Sequence, residues 1–135
     1  MVSTLRVKRI ADRIQEELAE LLLREVHDPR LTDVTVTGVN VDRELAYADV
    51  FVSSLEGSQR ASAILAGLEH ASGYLRRQLA RRVELRIFPV LRFHYDLTPE
   101  RAERIEQLIR SLHASAETSP RNDLEKGTAD TESNG

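Results

Sequence analysis

Arg76, Arg77, Arg81 and Arg82 crowd into the second half of the stretch HASGYLRRQLARR, residues 70–82. A guanidinium is a planar, permanently charged fork that matches two oxygens of a phosphate or carboxylate at once. Like charges four apart on a helix repel by about 0.2–0.5 kcal/mol. The chemistry on offer is therefore anion binding. A nucleic-acid backbone would relieve the repulsion along a whole helix face. The opposing readings are a solvated face or a compositional habit, since the chain has 17 arginines and two lysines. Only Glu69 and Glu84 are close enough in sequence to neutralise any of the four, which favours nucleic-acid contact.

On a helical wheel, Leu75, Leu79 and Val83 mark the core side of this stretch. Arg77 and Arg81 lie well away from it, and Arg76 flanks it. Arg82 falls close to the apolar stripe, so either its stem snorkels or the helix has ended. A second basic group, Arg6, Lys8, Arg9 and Arg13, occupies the first turns of the first predicted helix. Positive charge there opposes the helix macrodipole. Arg13 has Glu16 and Glu17 at pairing distance along the helix; pairing explains Arg13 well and Arg6 and Arg9 less well.

Nothing comparable points to catalysis. The chain has no cysteine, so thiolate nucleophiles, disulfides and thiolate metal sites are excluded. Ser53-Ser54 sits in no nucleophile elbow. His27, His70, His94 and His113 are scattered, without metal-ligand spacing. Asp28, Asp33 and Asp42 fall near turns, where carboxylates ordinarily accept from local backbone amides. Neither GxxxxGK[ST] nor GxGxxG occurs. We expect no enzyme activity, no metal and no cofactor.

The elements that must carry the arginines are readable from periodicity. Ser3 or Thr4 can cap a first helix running to about Glu25, with Val7, Ile10, Ala11, Ile14, Leu18, Leu21 and Leu22 as its apolar stripe. Asp28-Pro29 ends that region. In DVTVTGVNVD, Val34 and Val36 alternate with threonines, then the apolar set changes phase at Gly38 to Val39 and Val41. A one-residue slip at a glycine signals a β-bulge. LAYADVFVSS reads as the antiparallel partner strand, with Ala48, Val50 and Val52 on one face and Tyr47 and Phe51 on the other. The two aromatics are candidates for stacking on bases, but aromatic strand residues usually pack, and the core is the favoured place for them. A second helix from about Ser58 carries Ala61, Ile64, Leu65 and Leu68, and leads into the arginine stretch. VLRFHYD is a third strand with Leu91, Phe93 and Tyr95 on one face, its direction relative to the others left open by periodicity. Thr98-Pro99-Glu100 starts a last helix with an apolar stripe at Ala102, Ile105, Ile109 and Leu112. Helices and sheet each need a covered face, so a two-layer α+β domain follows.

Length and charge fit this plan. The chain has 135 residues, 41% of them hydrophobic, enough for one domain with a packed core. The formal net charge is −3. All of that excess lies from Glu117 onward, where five acids face Arg121 and Lys126, so the body is neutral overall. From about Ala114 the chain is Ser, Thr, Glu, Asp, Asn and Gly, which predicts a disordered acidic tail over residues 114–135. No long apolar run suggests a membrane span, and MVSTLRVKRIADRI is charged where a signal peptide needs an apolar centre. A cytoplasmic location is expected.

Taken in order, RIADRIQEELAELLLREVHDPRL, VTVTGVNVDRELAYADVFVS and HASGYLRRQLARRVELRIFPVLRFHYD resemble the ribosome-binding factor A family over about residues 4–112. DPRL and P-x-L-R-F are the most specific parts, and Val90 stands where the family often has an acid. The resemblance implies a type II KH-like fold, α-β-β-α-kink-α-β plus a C-terminal helix, with a three-stranded sheet over residues 1–113. Ordinary KH domains clamp nucleotides with a GXXG loop. This chain instead has Ala71-Ser72-Gly73, which in such a fold implies a helix–kink–helix. The resemblance also implies a monomeric, non-enzymatic factor that binds the small (30S) ribosomal subunit. Such a factor assists late maturation and 5′-end processing of 16S rRNA and is associated with growth in the cold. RNA contact is then expected at Arg6, Lys8, Arg9, Ser72, Gly73, Arg76, Arg77, Arg81 and Arg82. A protein-binding module using the same helices is the rival class.

Overall fold

The computed structural model describes residues 2–118. Helix α1 spans Thr4–Arg24. The Ser3 hydroxyl accepts from the Arg6 amide at 3.2 Å, satisfying one of the free N–H groups of the first turn. Ile10, Ala11, Ile14, Leu18, Leu21 and Leu22 form its buried stripe. The chain then turns at Asp28-Pro29. The Asp28 carboxylate accepts from the Arg30 amide at 2.9 Å and is gripped by the Arg30 guanidinium, with Nη2 2.7 Å from Oδ2. A short 3-10 turn, Pro29–Leu31, follows and drops Leu31 into the core.

Strand β1 (Val34–Val41) pairs antiparallel with β2 (Tyr47–Ser54). The register slips between Val36 and Gly38, leaving Thr37 as the extra residue. This bulge lets Val36, Val39 and Val41 all reach the core despite their change of phase. In the connecting turn the Asp42 carboxylate accepts from the amides of Ala46 and Tyr47, at 2.8 and 2.7 Å. Leu45 takes a left-handed conformation there, φ 59°. Helix α2 (Ala61–Arg82) then carries the chain across to β3 (Val90–Tyr95), which pairs parallel with β2, giving the sheet order β1-β2-β3. Helix α1 lies against β1 and α2 against β3, and one apolar core fills the space between helices and sheet.

The expected break at Ala71-Ser72-Gly73 is absent: α2 is a single helix through all three residues. The buried stripe explains why. Ile64, Leu68, Leu75 and Leu79 are fully buried, and the partly buried Ala71 bridges the gap between them at helical steps. Both halves of the helix thus pack on one core without a break. Gly73 is exposed and has no left-handed φ, so its backbone freedom goes unused. The close approach lies one and a half turns earlier. A Cβ at Gly67 would meet Leu31 Cδ2 at 3.0 Å and Arg30 Cβ at 3.3 Å.

Helix α3 (Thr98–Thr118) starts at the threonine marked by the sequence. The described chain divides into two units, a body ending at Leu97 and a unit beginning at Thr98. Within α3 the apolar stripe is present but not buried: Ile105, Leu108, Ile109 and Leu112 are all exposed. Residues 114–118, expected in the tail, continue this helix. The rest of the predicted acidic tail lies outside the described residues.

Candidate nucleic-acid interface

The arginines of α2 divide into two kinds. Arg77 and Arg81 are exposed and have no ion-pair partner among the described residues. They stand four apart, on one side of the helix, as the wheel predicts. The Arg77 guanidinium lies back along the helix, with Nη1 3.3 Å from where a Cβ on Gly73 would sit. Gly73, Arg76, Arg77, Ala80 and Phe88 line a cleft of about 360 Å³. A phosphate approaching this side of α2 meets two unneutralised guanidinia and the exposed Gly73.

Arg76 and Arg82 do other work. Arg76 is half-buried and donates to the Phe88 carbonyl at 2.6 Å and the Pro89 carbonyl at 3.2 Å, tying α2 to the segment that leads into β3. Arg82 closes α2 and pairs across to α1, 3.2 Å from both Glu17 and Glu25. The hydrogen bond that Arg82 donates to Glu17 comes first among the causes that raise the Arg82 pKa above its ordinary value. Arg13 joins the same seam, pairing with Glu17 at 3.1 Å and donating to the Arg82 carbonyl at 3.5 Å. Tyr74 donates to Glu25 at 3.1 Å, and desolvation followed by this hydrogen bond raises its pKa. Glu17 and Glu25 are thus the neutralising acids that local sequence did not contain. The structure gives Arg76 and Arg82 partners within the fold, which the sequence reading did not anticipate.

Among the other expected contacts, Lys8 is exposed but paired with Asp12 at 2.7 Å. Such an exposed pair is worth about 0–1 kcal/mol and yields readily to a phosphate. Arg6 and Arg9 are exposed and unpaired among the described residues. Ser72 is half-buried on α2.

The sheet face opposite the core holds a second polar cluster. Asp49 receives a two-pronged contact from Arg92, Nε to Oδ1 at 2.9 Å and Nη2 to Oδ2 at 3.0 Å, and a contact from His94 at 2.8 Å. The Arg92 and then the His94 hydrogen bonds hold the Asp49 carboxyl below the usual carboxylate range. The Arg92 guanidinium lies over the Tyr47 ring, 4.0 Å from its centroid, and Phe51 stacks on His94 at 5.0 Å. Tyr47 is exposed and Phe51 half-buried, so the expectation that both belong to the core is overturned. Val50 and Val52 fill the core side of β2 instead. Arg92 was not singled out from the sequence as a site residue and His94 was read only as one of four scattered histidines, although their alternation against Leu91, Phe93 and Tyr95 was the available signal. Among the described residues no cluster of His, Asp and Glu is placed to hold a metal ion, and no helix is long and apolar enough to cross a membrane.

Comparison with known proteins places this architecture. Residues 6–109 match the family model for ribosome-binding factor A. Ribosome-binding factor A of Nitrosomonas europaea is 47% identical over 104 residues, spanning 77% of this chain and 89% of the relative. The crystal structure of ribosome-binding factor A from Thermus thermophilus superposes with a TM-score of 0.60 at 28% identity, over 66% of this chain and 93% of that one. A homology model of the Thermus thermophilus factor, fitted into the cryo-EM map of a 30S complex with ribosome-binding factor A, superposes with a TM-score of 0.54 at 30% identity, over 64% of this chain and 91% of that one. These structures share the KH-like arrangement of helices on a three-stranded sheet found here. The extent of the family match and the identity to its members together show that the chain belongs to the ribosome-binding factor A family.

Proposed function

We propose that this protein is a monomeric, non-enzymatic assembly factor of the cytoplasm that binds the small ribosomal subunit through 16S rRNA. It assists late maturation and 5′-end processing of that RNA, above all in the cold. Family membership and the 30S complex with ribosome-binding factor A support the partner. The observation that carries the RNA contact is the pair Arg77 and Arg81, exposed, four apart and without an acidic partner among the described residues. An unneutralised, mutually repelling pair is stabilised by an anion that spans both charges, as a phosphodiester backbone does.

The test is co-sedimentation with purified small subunits. Arg77→Glu with Arg81→Glu leaves the circular dichroism of the free protein unchanged, since neither side chain packs in the core. It sharply reduces the fraction that sediments with subunits. In cells carrying only this variant, 16S rRNA with unprocessed 5′ ends accumulates, most at low temperature. Unchanged sedimentation removes these residues from the RNA site. A protein-binding module is the second reading, favoured by the exposed Ile105, Leu108, Ile109 and Leu112 of α3. Binding through such a face responds little to salt, whereas phosphate contacts weaken steeply.

A further inference from the structure

The segment between α2 and β3 contributes to two clefts. Its residue Phe88 lines the cleft beside Gly73 and Arg77. The preceding residues, Arg86 and Ile87, line another of about 440 Å³, together with Arg6 from the first turn of α1 and Glu44 and Leu45 from the β1–β2 turn. Three stretches far apart in sequence thus converge on one concavity. Arg6 and Arg86 are both exposed, and neither has an ion-pair partner among the described residues, although Glu44 lines the same cleft. The cleft therefore carries an excess of positive charge. The first turn of α1 contains no acid to offset either the arginine or the helix dipole. Ile87 is 74% exposed at the same place, an apolar side chain with no role in the core.

We infer that this second cleft binds a single-stranded RNA segment. Arg6 and Arg86 take backbone phosphates, and Ile87 packs against a ribose or base between them. Free guanidinia fit phosphates. The apolar side chain fits the unstacked faces that single-stranded RNA offers and a duplex hides. The RNA contact then involves α1 and the β1–β2 turn as well as α2. This inference rests on the RNA-binding reading above and extends it to Arg86 and Ile87, which sequence alone did not single out.

Photocrosslinking of the full chain to purified small subunits separates the two. p-Benzoylphenylalanine is placed at Ile87 in one protein and at Ala80, beside Arg77 and Arg81, in another. Crosslinks to 16S rRNA from both positions are expected. A crosslink to rRNA from Ala80 only, with position 87 reaching a ribosomal protein or nothing, overturns the second cleft and leaves the first intact. No rRNA crosslink from either position overturns the RNA-binding reading itself, and this inference with it. Independently, Arg86→Gln reduces the slope of log affinity against log salt by about 1, the signature of one lost phosphate contact. An unchanged slope in a variant with native circular dichroism removes Arg86 from the site.

Discussion

Arg76 and Arg77 are neighbours in the chain, but a helix turns successive side chains by about 100°, so they meet different surroundings. Arg76 reaches the carbonyls of Phe88 and Pro89, two buried residues. Removing it leaves those acceptors without their partner, at a cost of about 1–3 kcal/mol. Arg76→Ala is therefore expected to lower the midpoint of urea unfolding clearly. Arg77→Ala stays within about 0.5 kcal/mol of wild type, as exposed substitutions do, while weakening subunit binding. Paired denaturation and sedimentation measurements on the two variants check this. The glycines of α2 contrast in the same way. Gly73 is exposed, and among the described residues a Cβ there would meet the flexible end of Arg77. Gly73→Ala should raise stability by up to about 1 kcal/mol through helix propensity. A Cβ at Gly67 would lie 3.0 Å from Leu31 Cδ2, and Leu31 is itself buried. Gly67→Val should destabilise by about 1–3 kcal/mol through overpacking. Thermal melts of both variants test the contrast, and a stabilising Gly67→Val would show that Leu31 moves aside freely.

The turn from α1 to β1 is an element built on one carboxylate. Hydrogen bonds from the Arg30 side chain, then its amide, hold the Asp28 carboxyl at about 2, against an ordinary 3.8. Arg60, from the turn before α2, donates to the carbonyls of Arg30 and Thr32 at 2.7 and 3.0 Å and fastens the same segment from the other side. Because folding lowers the Asp28 pKa, the unfolded chain takes up the proton first as the solution is acidified. The stabilisation from Asp28 is complete above the ordinary value and is lost as pH falls from 3.8 to about 2. Asp28→Asn should melt lower than wild type at neutral pH, and the difference should shrink across that acidic window. A constant difference from pH 7 to pH 2 would mean that ionisation of Asp28 does not stabilise the turn. The DPRL signature thus has a structural explanation: it holds the turn that places Leu31 against Gly67.

For the whole molecule, net charge and binding charge differ. The chain carries −3 overall, yet exposed cations without an ion pair among the described residues include Arg77 and Arg81 on α2, Arg6 and Arg9 at the start of α1, and Arg86. Each phosphate neutralised contributes about one unit to the salt slope of binding. Arg77 and Arg81 alone predict a slope of about −2 for subunit binding, and adding Arg6 and Arg86 predicts about −4. Filter binding from low to high salt distinguishes these values. A slope near zero would place the binding energy in apolar contacts instead.

Periodicity, local in the chain, carried a good part of this structure. The stripe of α1, the alternation of β2, the bulge at Gly38 and the start of α3 at Thr98 all follow from which side chains can share a face over a few residues. The same rule put Arg77 and Arg81 on the side away from Leu75 and Leu79. It could not supply partners from elsewhere in the chain. Arg82 is neutralised by Glu17 and Glu25, which lie 65 and 57 residues away, and no local signal announces an ion pair across two helices. Alternation put Tyr47 and Phe51 on one face of β2 but left open which face is covered. That depends on where α1 and α2 pack. The break expected at Ala71-Ser72-Gly73 failed for a related reason. Glycine permits a bend, but whether the helix takes one depends on the surface beneath it, and Leu68 and Leu75 rest on the same core.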